Sequence, residues 1–321
     1  MAKKSKQKKY YKKTDTRKLR EKAYEFFSSK YTNNITRKSF IRNYDRFISF
    51  CRENYKSKTV DDCKKHIEDY INYLIKKGLS ANTIHTYLAP VVIYHNMSLN
   101  DISIPKRYAA HNTRSRKERA DYRSNANPDN PKYAYSVEFQ RRVGIRRNEL
   151  LHLKKNDCGY DESGYFCVIV RKGKGGKTQW QRVLPEDEDF IKAYFDNTED
   201  FVFSREEMNN KIDYHAIRAQ QAKKAYDYYL QRLESDSLYR KILTDEIYKR
   251  WNKFCKTKDG RRKHLDKGEI TGTYFIRGEN KKLAIKKGLP LKYDKLALMA
   301  VSIFHLSHWR NDVTVSNYLL A

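Results

Sequence analysis

Five polar residues in the second half of the chain, Arg146, Lys174, Arg277, His308 and Tyr318, are of types that can clamp a phosphodiester, move a proton and attack phosphorus. A guanidinium suits a phosphodiester because its planar fork binds two phosphate oxygens and stays charged. Lys174 stands on the turn Lys172-Gly173-Lys174-Gly175-Gly176-Lys177. An ammonium on a flexible stem at such a tip can reach a minor groove and donate a proton. A tyrosine that attacks phosphorus stores the bond energy covalently, so a strand is rejoined without ATP. Each residue also has a plainer reading. Lys174 fits a solvated hairpin tip, Arg146 an amphipathic helix, and His308 and Tyr318 a packed core.

Composition decides what surrounds these groups. The chain has 321 residues, enough for two ordinary domains, with 68 Lys+Arg against 39 Asp+Glu and a formal net charge of +29. Such a surplus repels itself unless a polyanion neutralises it, which makes nucleic acid the expected partner. An aromatic content of 13%, with 26 Tyr, excludes a disordered basic tail. No run of about 18 apolar residues is present, so no membrane span is expected. The N-terminus has no apolar core of a secretory signal. Cys51, Cys63, Cys158, Cys167 and Cys255 form no CxxC pair and no zinc spacing, and read as reduced residues of a cytoplasmic protein without a metal site.

The elements that position the polar groups follow from periodicity. Residues 1–13 hold seven lysines and no acid, and read as a flexible arm that orders on phosphates. Residues 14–107 read as a compact helical domain. A first helix covers 17–29. A second follows Thr36 and carries Phe40, Ile41, Tyr44, Phe47, Ile48 and Cys51 on one face. A third runs from a Thr59-x-x-Asp62 cap to Lys77 and stops at Gly78, and a fourth starts at Ser80. Residues 108–131 form a basic linker with Arg114, Arg116, Lys117 and Arg119, closed by Pro128-Asp129-Asn130-Pro131.

The second domain spans 132–321. Its expected elements are a helix over 137–143, a helix after Gly144, and a β-hairpin of 165–170 and 178–184. Helices at 214–233, 238–251, 280–287 and 294–304 complete it. Lys223, Lys224, Arg232, Arg240, Lys241, Lys249 and Arg250 lie on these helices as further candidates for a groove. The fold class expected is mainly α with a small β-hairpin or sheet, α+β.

Four strings together resemble the tyrosine recombinases of the phage integrase type. Gly144-Ile145-Arg146-Arg147-Asn148-Glu149-Leu150 is similar to the family's Gly-hydrophobic-Arg-x-x-Glu-Leu box, and Gly173-Lys174-Gly175-Gly176-Lys177 to its lysine loop. Tyr274-Phe275-Ile276-Arg277 is the best match to its His-x-Leu-Arg box. Leu306-Ser307-His308, ten residues before Tyr318, resembles its Leu-Gly-His box and nucleophile. Gly78-Leu79-Ser80-Ala81-Asn82-Thr83-Ile84 is like the start of the last helix in the family's core-binding domain.

The resemblance implies an N-terminal core-binding domain and a C-terminal catalytic domain closing as a C-shaped clamp on double-stranded DNA, with no metal or cofactor. It assigns Arg146 and Arg277 to the scissile phosphate, Glu149 to support, Lys174 to the leaving 5′-oxygen and Tyr318 to attack. His308, Trp309 and Tyr274 fall at the family's remaining site positions, and Lys172 and Lys177 at flanking DNA contacts. Further copies of the chain, as dimer or tetramer, and an accessory protein are the other partners. Two departures, Tyr274 in the histidine position and an end at Ala321 soon after the nucleophile, fit an alternative: a prophage-type regulator that binds DNA on the same fold without cutting it.

Overall fold

The computed structural model describes residues 15–111, 127–171, 173, 178–254 and 264–321. The chain divides into two compact units, 1–107 and 108–321.

The first unit is helical: α1 (Asp15–Lys30), α2 (Asn34–Tyr55), α3 (Val60–Lys64), α4 (Ile67–Lys76) and α5 (Ala81–Tyr94). Phe27, Phe47, Ile48, Tyr70, Ile71 and Leu88 are among the residues that make its core. The cap at Thr59 forms as a reciprocal pair: Asp62 N donates to Thr59 Oγ1 at 3.1 Å, and Thr59 N to Asp62 Oδ2 at 3.2 Å. The single helix expected from that cap to Lys77 is instead broken at Lys65-His66. His66 leaves the helical conformation at ψ 19°, stacks on Tyr55 at 3.6 Å between ring centroids, and holds Asp69 at 3.1 Å.

Helix α5 contains Pro90, which has no N–H for the Thr86 carbonyl one turn back. The buried amide of Asn43, on α2, donates to that carbonyl at 3.3 Å. A proline on one helix thus explains a polar residue in the core face of another.

The second unit contains α6 (Ala134–Val143), α7 (Arg147–Leu150), β1 (Cys158–Tyr160), β2 (Phe166–Val170), β3 (Gln179–Arg182), α8 (Glu188–Asp196) and α9 (Arg205–Met208). It continues with α10 (Tyr214–Ser235), α11 (Tyr239–Phe254), β4 (Thr273–Phe275), α12 (Gly278–Lys286), β5 (Lys292–Asp294), α13 (Lys295–Ala300) and α14 (Asn311–Thr314). The strands form an antiparallel β1-β2-β3 sheet, with Val170 opposite Gln179, and an antiparallel β4-β5 pair. The unit is mostly helical with these small sheets. The helix expected after Gly144 is a single turn.

Two apolar clusters build this unit. One gathers α6, β2 and α8 through residues such as Val137, Val168 and Ile191. The other gathers α11 and α13 through Leu243, Ile247 and Leu298. Helix α10 belongs to both, burying Tyr214 and Ile217 in the first and Ala222 and Tyr229 in the second. Residues 215–221 of α10 therefore lie at the seam. Among the described residues, no helix is long and apolar enough to cross a membrane.

Candidate active site

The seam is where the polar groups meet. Helix α6 ends at Gly144, whose φ is +69°. A Cβ there would stand 3.0 Å from Gln221 Oε1 and 3.2 Å from Gln221 Cβ, so backbone sign and space both require glycine. The chain then turns into Arg146, the residue that precedes α7. Arg146 N donates to Glu149 Oε2 at 2.8 Å and its Nη1 to Glu149 Oε1 at 2.7 Å. The buried carboxylate of Glu149 thereby fixes one edge of the guanidinium and leaves the rest to face outward.

Helix α10 supplies the next pair. Asp213 caps its start, accepting from Ala216 N at 3.2 Å. His215 and Arg218, three residues apart, share one helical face. Arg218 is only 1% exposed. Its Nη2 donates to the Leu306 carbonyl at 2.8 Å, and its Nη1 lies 3.9 Å from Glu149 Oε2. Arg218 Nε and Nη1 make no close hydrogen bond among the described residues, with Tyr318 and Glu149 acting on the guanidinium from longer range. Burial pushes the Arg218 pKa below its usual value and the Arg146 charge adds to this, while Tyr318 and Glu149 oppose it. One carboxylate thus faces two guanidiniums. The surplus positive charge calls for an anion.

The third wall comes from the C-terminal segment. After α13 the chain makes a π-helical turn over Val301–His305, then a turn in which Ser307 has φ +56° and Trp309 φ +64°. Ser302 holds this turn, accepting from His308 N at its carbonyl (3.0 Å) and from Arg310 N at its hydroxyl (2.7 Å). A left-handed φ at Ser307 gives a physical reason for glycine in the middle of a Leu-Gly-His string. Tyr318 sits in a second π-helical turn, Val315–Leu319. Such wide turns are frequent at functional sites. Its ring lies 5.1 Å from that of His308 and 5.4 Å from that of His215. The Arg218 guanidinium carbon is 5.7 Å from its centroid. Desolvation of the His215 imidazole, with the charges of Arg218 and Arg146, holds its pKa below the usual histidine value. Tyr318 is 7% exposed and forms one wall of a cavity of about 180 Å³ with Ala216, Ala219, Lys223 and Leu289 among its neighbours.

Four of the expected residues, Arg146, Glu149, His308 and Tyr318, come together here. Arg277 and Tyr274 do not join them. Arg277 is exposed before α12, and Tyr274 is half-buried on β4, where burial raises its phenol pKa. The ring contacts on Tyr318 come from His215 and His308. The residues that stand beside Tyr318 are instead Arg218 and His215. Sequence reasoning misses both. The signal was present, since His215-Ala216-Ile217-Arg218 is itself a His-x-x-Arg string behind a helix cap. Trp309 packs edge-to-face on Trp251 at 5.6 Å.

Lys172, Lys174, Lys177, Arg114, Arg116, Lys117, Arg119 and the arm 1–13 lie outside the described residues. Of the other basic candidates, Lys224 pairs with Asp187 at 2.7 Å, Arg240 with Asp294 at 3.0 Å and Lys249 with Glu162 at 2.9 Å. Arg232 bonds to the Tyr165 hydroxyl at 2.8 Å and Arg250 to the Trp180 carbonyl at 2.6 Å. Each of these five therefore has a partner within its own unit.

Among solved structures, the crystal structure of XerA recombinase is similar to the chain at 19% sequence identity and a TM-score of 0.23, over 69% of this chain and 86% of that one. So slight an overlap carries no argument about activity. No family model and no curated protein matches the chain.

Proposed function

We propose that the chain is a site-specific DNA recombinase, an integrase of a phage or other mobile element, that cuts and rejoins strands through a 3′-phosphotyrosine. The observation that carries this reading is the convergence of His215, Arg218 and His308 on Tyr318, with Arg146 held beside Arg218 by the shared carboxylate of Glu149. A scissile phosphodiester supplies the missing anion between Arg146 and Arg218. Tyr318 Oη attacks phosphorus and the bond to the 5′-oxygen breaks. His215, held neutral by its surroundings, takes the tyrosyl proton, and Lys174 gives one to the leaving oxygen. His308 donates to a non-bridging oxygen. Attack by a 5′-hydroxyl reverses the step and releases the tyrosine.

On this reading the helical unit, the arm 1–13 and the basic stretch 108–131 engage the duplex around the cut, and their phosphate contacts make binding steeply salt-dependent. With His215 beside Tyr318, the phenol of Tyr274 no longer weighs against cutting. A regulator that binds without cutting is the second reading. It is favoured by the enclosure of Tyr318 and Arg218, which sets both back from the surface. Nicked duplexes from the protein's own genetic element separate the two on a denaturing gel. The recombinase gives a covalent adduct that Tyr318→Phe abolishes. The regulator gives native-gel shifts and no adduct.

A further inference from the structure

Three glutamines, Gln140 on α6, Gln181 on β3 and Gln221 on α10, are buried to within 1% exposure. Their side chains converge on the end of α6. Gln221 Nε2 donates to the Arg142 carbonyl at 3.4 Å, Gln181 Nε2 to the Val143 carbonyl at 2.7 Å and Gln140 Nε2 to the Ile145 carbonyl at 2.7 Å. These are carbonyls of the helix end and of the residue before Arg146, which the helix itself leaves unpaired. In all three glutamines the Oε1 atom is buried without a hydrogen-bond partner among the described residues. Three separate elements thus each direct a buried amide at one turn, which fixes where that turn sits.

Two of the three also tie this turn to the other walls of the site. Gln140 Nε2 donates to the Tyr214 carbonyl at 3.0 Å, next to His215. Gln221 Nε2 meets His305 Nδ1 at 3.3 Å, and His305 Nε2 meets the Tyr229 hydroxyl at 3.2 Å. Both N–H groups of Gln221 are donated, so Nδ1 of His305 accepts and Nε2 carries the proton. Burial holds that imidazole neutral, which this pattern requires. His305 lies three residues before His308.

We infer that Gln140, Gln181 and Gln221 are positioning residues that set the Arg146 turn against α10 and the His308 turn. This rests on the proposed strand-cutting reading for its chemistry, but the positioning itself is measured without it. Methionine matches glutamine in length and lacks its donors. Gln181→Met is the leading variant because Gln181 touches none of the groups around Tyr318, and Gln140→Met is the second should the first fail to fold. The full chain is used throughout, and amide hydrogen exchange is followed by mass spectrometry.

In either variant, exchange across 144–149 rises at least tenfold while that of β1 and β2 stays within twofold. Duplex affinity stays within twofold, and the first-order rate of Tyr318 adduct formation at saturating nicked duplex falls at least tenfold. A misplacement of about 1 Å costs on the order of 100-fold in rate. Unchanged exchange at 144–149 overturns the inference whatever the protein does to DNA. So does raised exchange with an unchanged adduct rate. Raised exchange in a protein whose wild type forms no adduct sustains the positioning and defeats the strand-cutting reading.

Discussion

Replacing Arg218 by methionine should make the free protein more stable while removing its ability to hold a phosphate. Arg218 Nε and Nη1 are buried and make no close hydrogen bond among the described residues. Each unsatisfied donor costs about 1–3 kcal/mol. The substitution also removes the bond to the Leu306 carbonyl, and leaving that acceptor unpaired costs about 1–3 kcal/mol in return. With the weak 3.9 Å pairing to Glu149 also lost, the balance is a gain of about 1–2 kcal/mol. For a domain of this size that raises Tm by roughly 2–8 °C. Scanning calorimetry measures it directly. Inorganic phosphate supplies the second arm. At ten times its Kd it should add about 1.4 kcal/mol to the wild type and nothing to Arg218→Met. A Met variant that melts several degrees lower, with the same response to phosphate as the wild type, would show that Arg218 is a structural strut and refute the reasoning.

The remaining predictions concern position, pH and backbone. Arg277→Ala should leave the adduct rate within twofold and lower the salt slope of duplex binding by about 1, as loss of a phosphate contact does; a collapse of the adduct rate would return Arg277 to the site. Burial pushes the pKa of His95 down to about 4 and that of His305 to about 3. The unfolded chain takes up these protons as pH falls through about 6.5 and the folded chain does not, so stability is full above about 6.5 and falls between there and 4. For His95 alone the loss is on the order of 3 kcal/mol at about 1.4 kcal/mol per pH unit, and urea denaturation at pH 7 and pH 5 should show it beginning. Ser307→Gly should raise stability by about 0.5 kcal/mol and keep activity, because glycine takes a φ of +56° without the side-chain penalty; thermal melting checks it.

The amphipathic helices were legible in the sequence because their apolar spacing matches one buried face. Helix α2, with Tyr44, Phe47, Ile48 and Cys51 in the core, and α5 behind its Ser80 cap are cases in point. The short elements were not. Strands β1, β4 and β5 have three residues each, too few for a period-two pattern to stand out. At the break, His66 stacks on Tyr55, a partner eleven residues away, and periodicity within a helix holds no record of it.

The site divides along the same line. Arg146 and Glu149 bond to each other across three residues, so a local string captures them. Arg218 faces the Leu306 carbonyl and Tyr318, far along the chain, and two strings of nearly the same form, 215–218 and 274–277, compete for that place. The letters favour 215–218, which has the histidine. Burial agrees, since Arg218 is enclosed at the seam of two cores and Arg277 lies open to solvent. The three glutamines were invisible for a related reason: a buried glutamine carries no motif, and its meaning is only in which carbonyl it reaches.

The most direct test of the central claim is to identify the residue that carries the DNA. The protein is incubated with nicked duplex, digested with protease and nuclease, and the nucleotide-bearing peptide is sequenced by tandem mass spectrometry. The account predicts a 3′-phosphonucleotide on Tyr318, one of 26 tyrosines, and none in Arg218→Met. A nucleotide on any other tyrosine, or tight duplex binding with no nucleotide-bearing peptide at all, would contradict it.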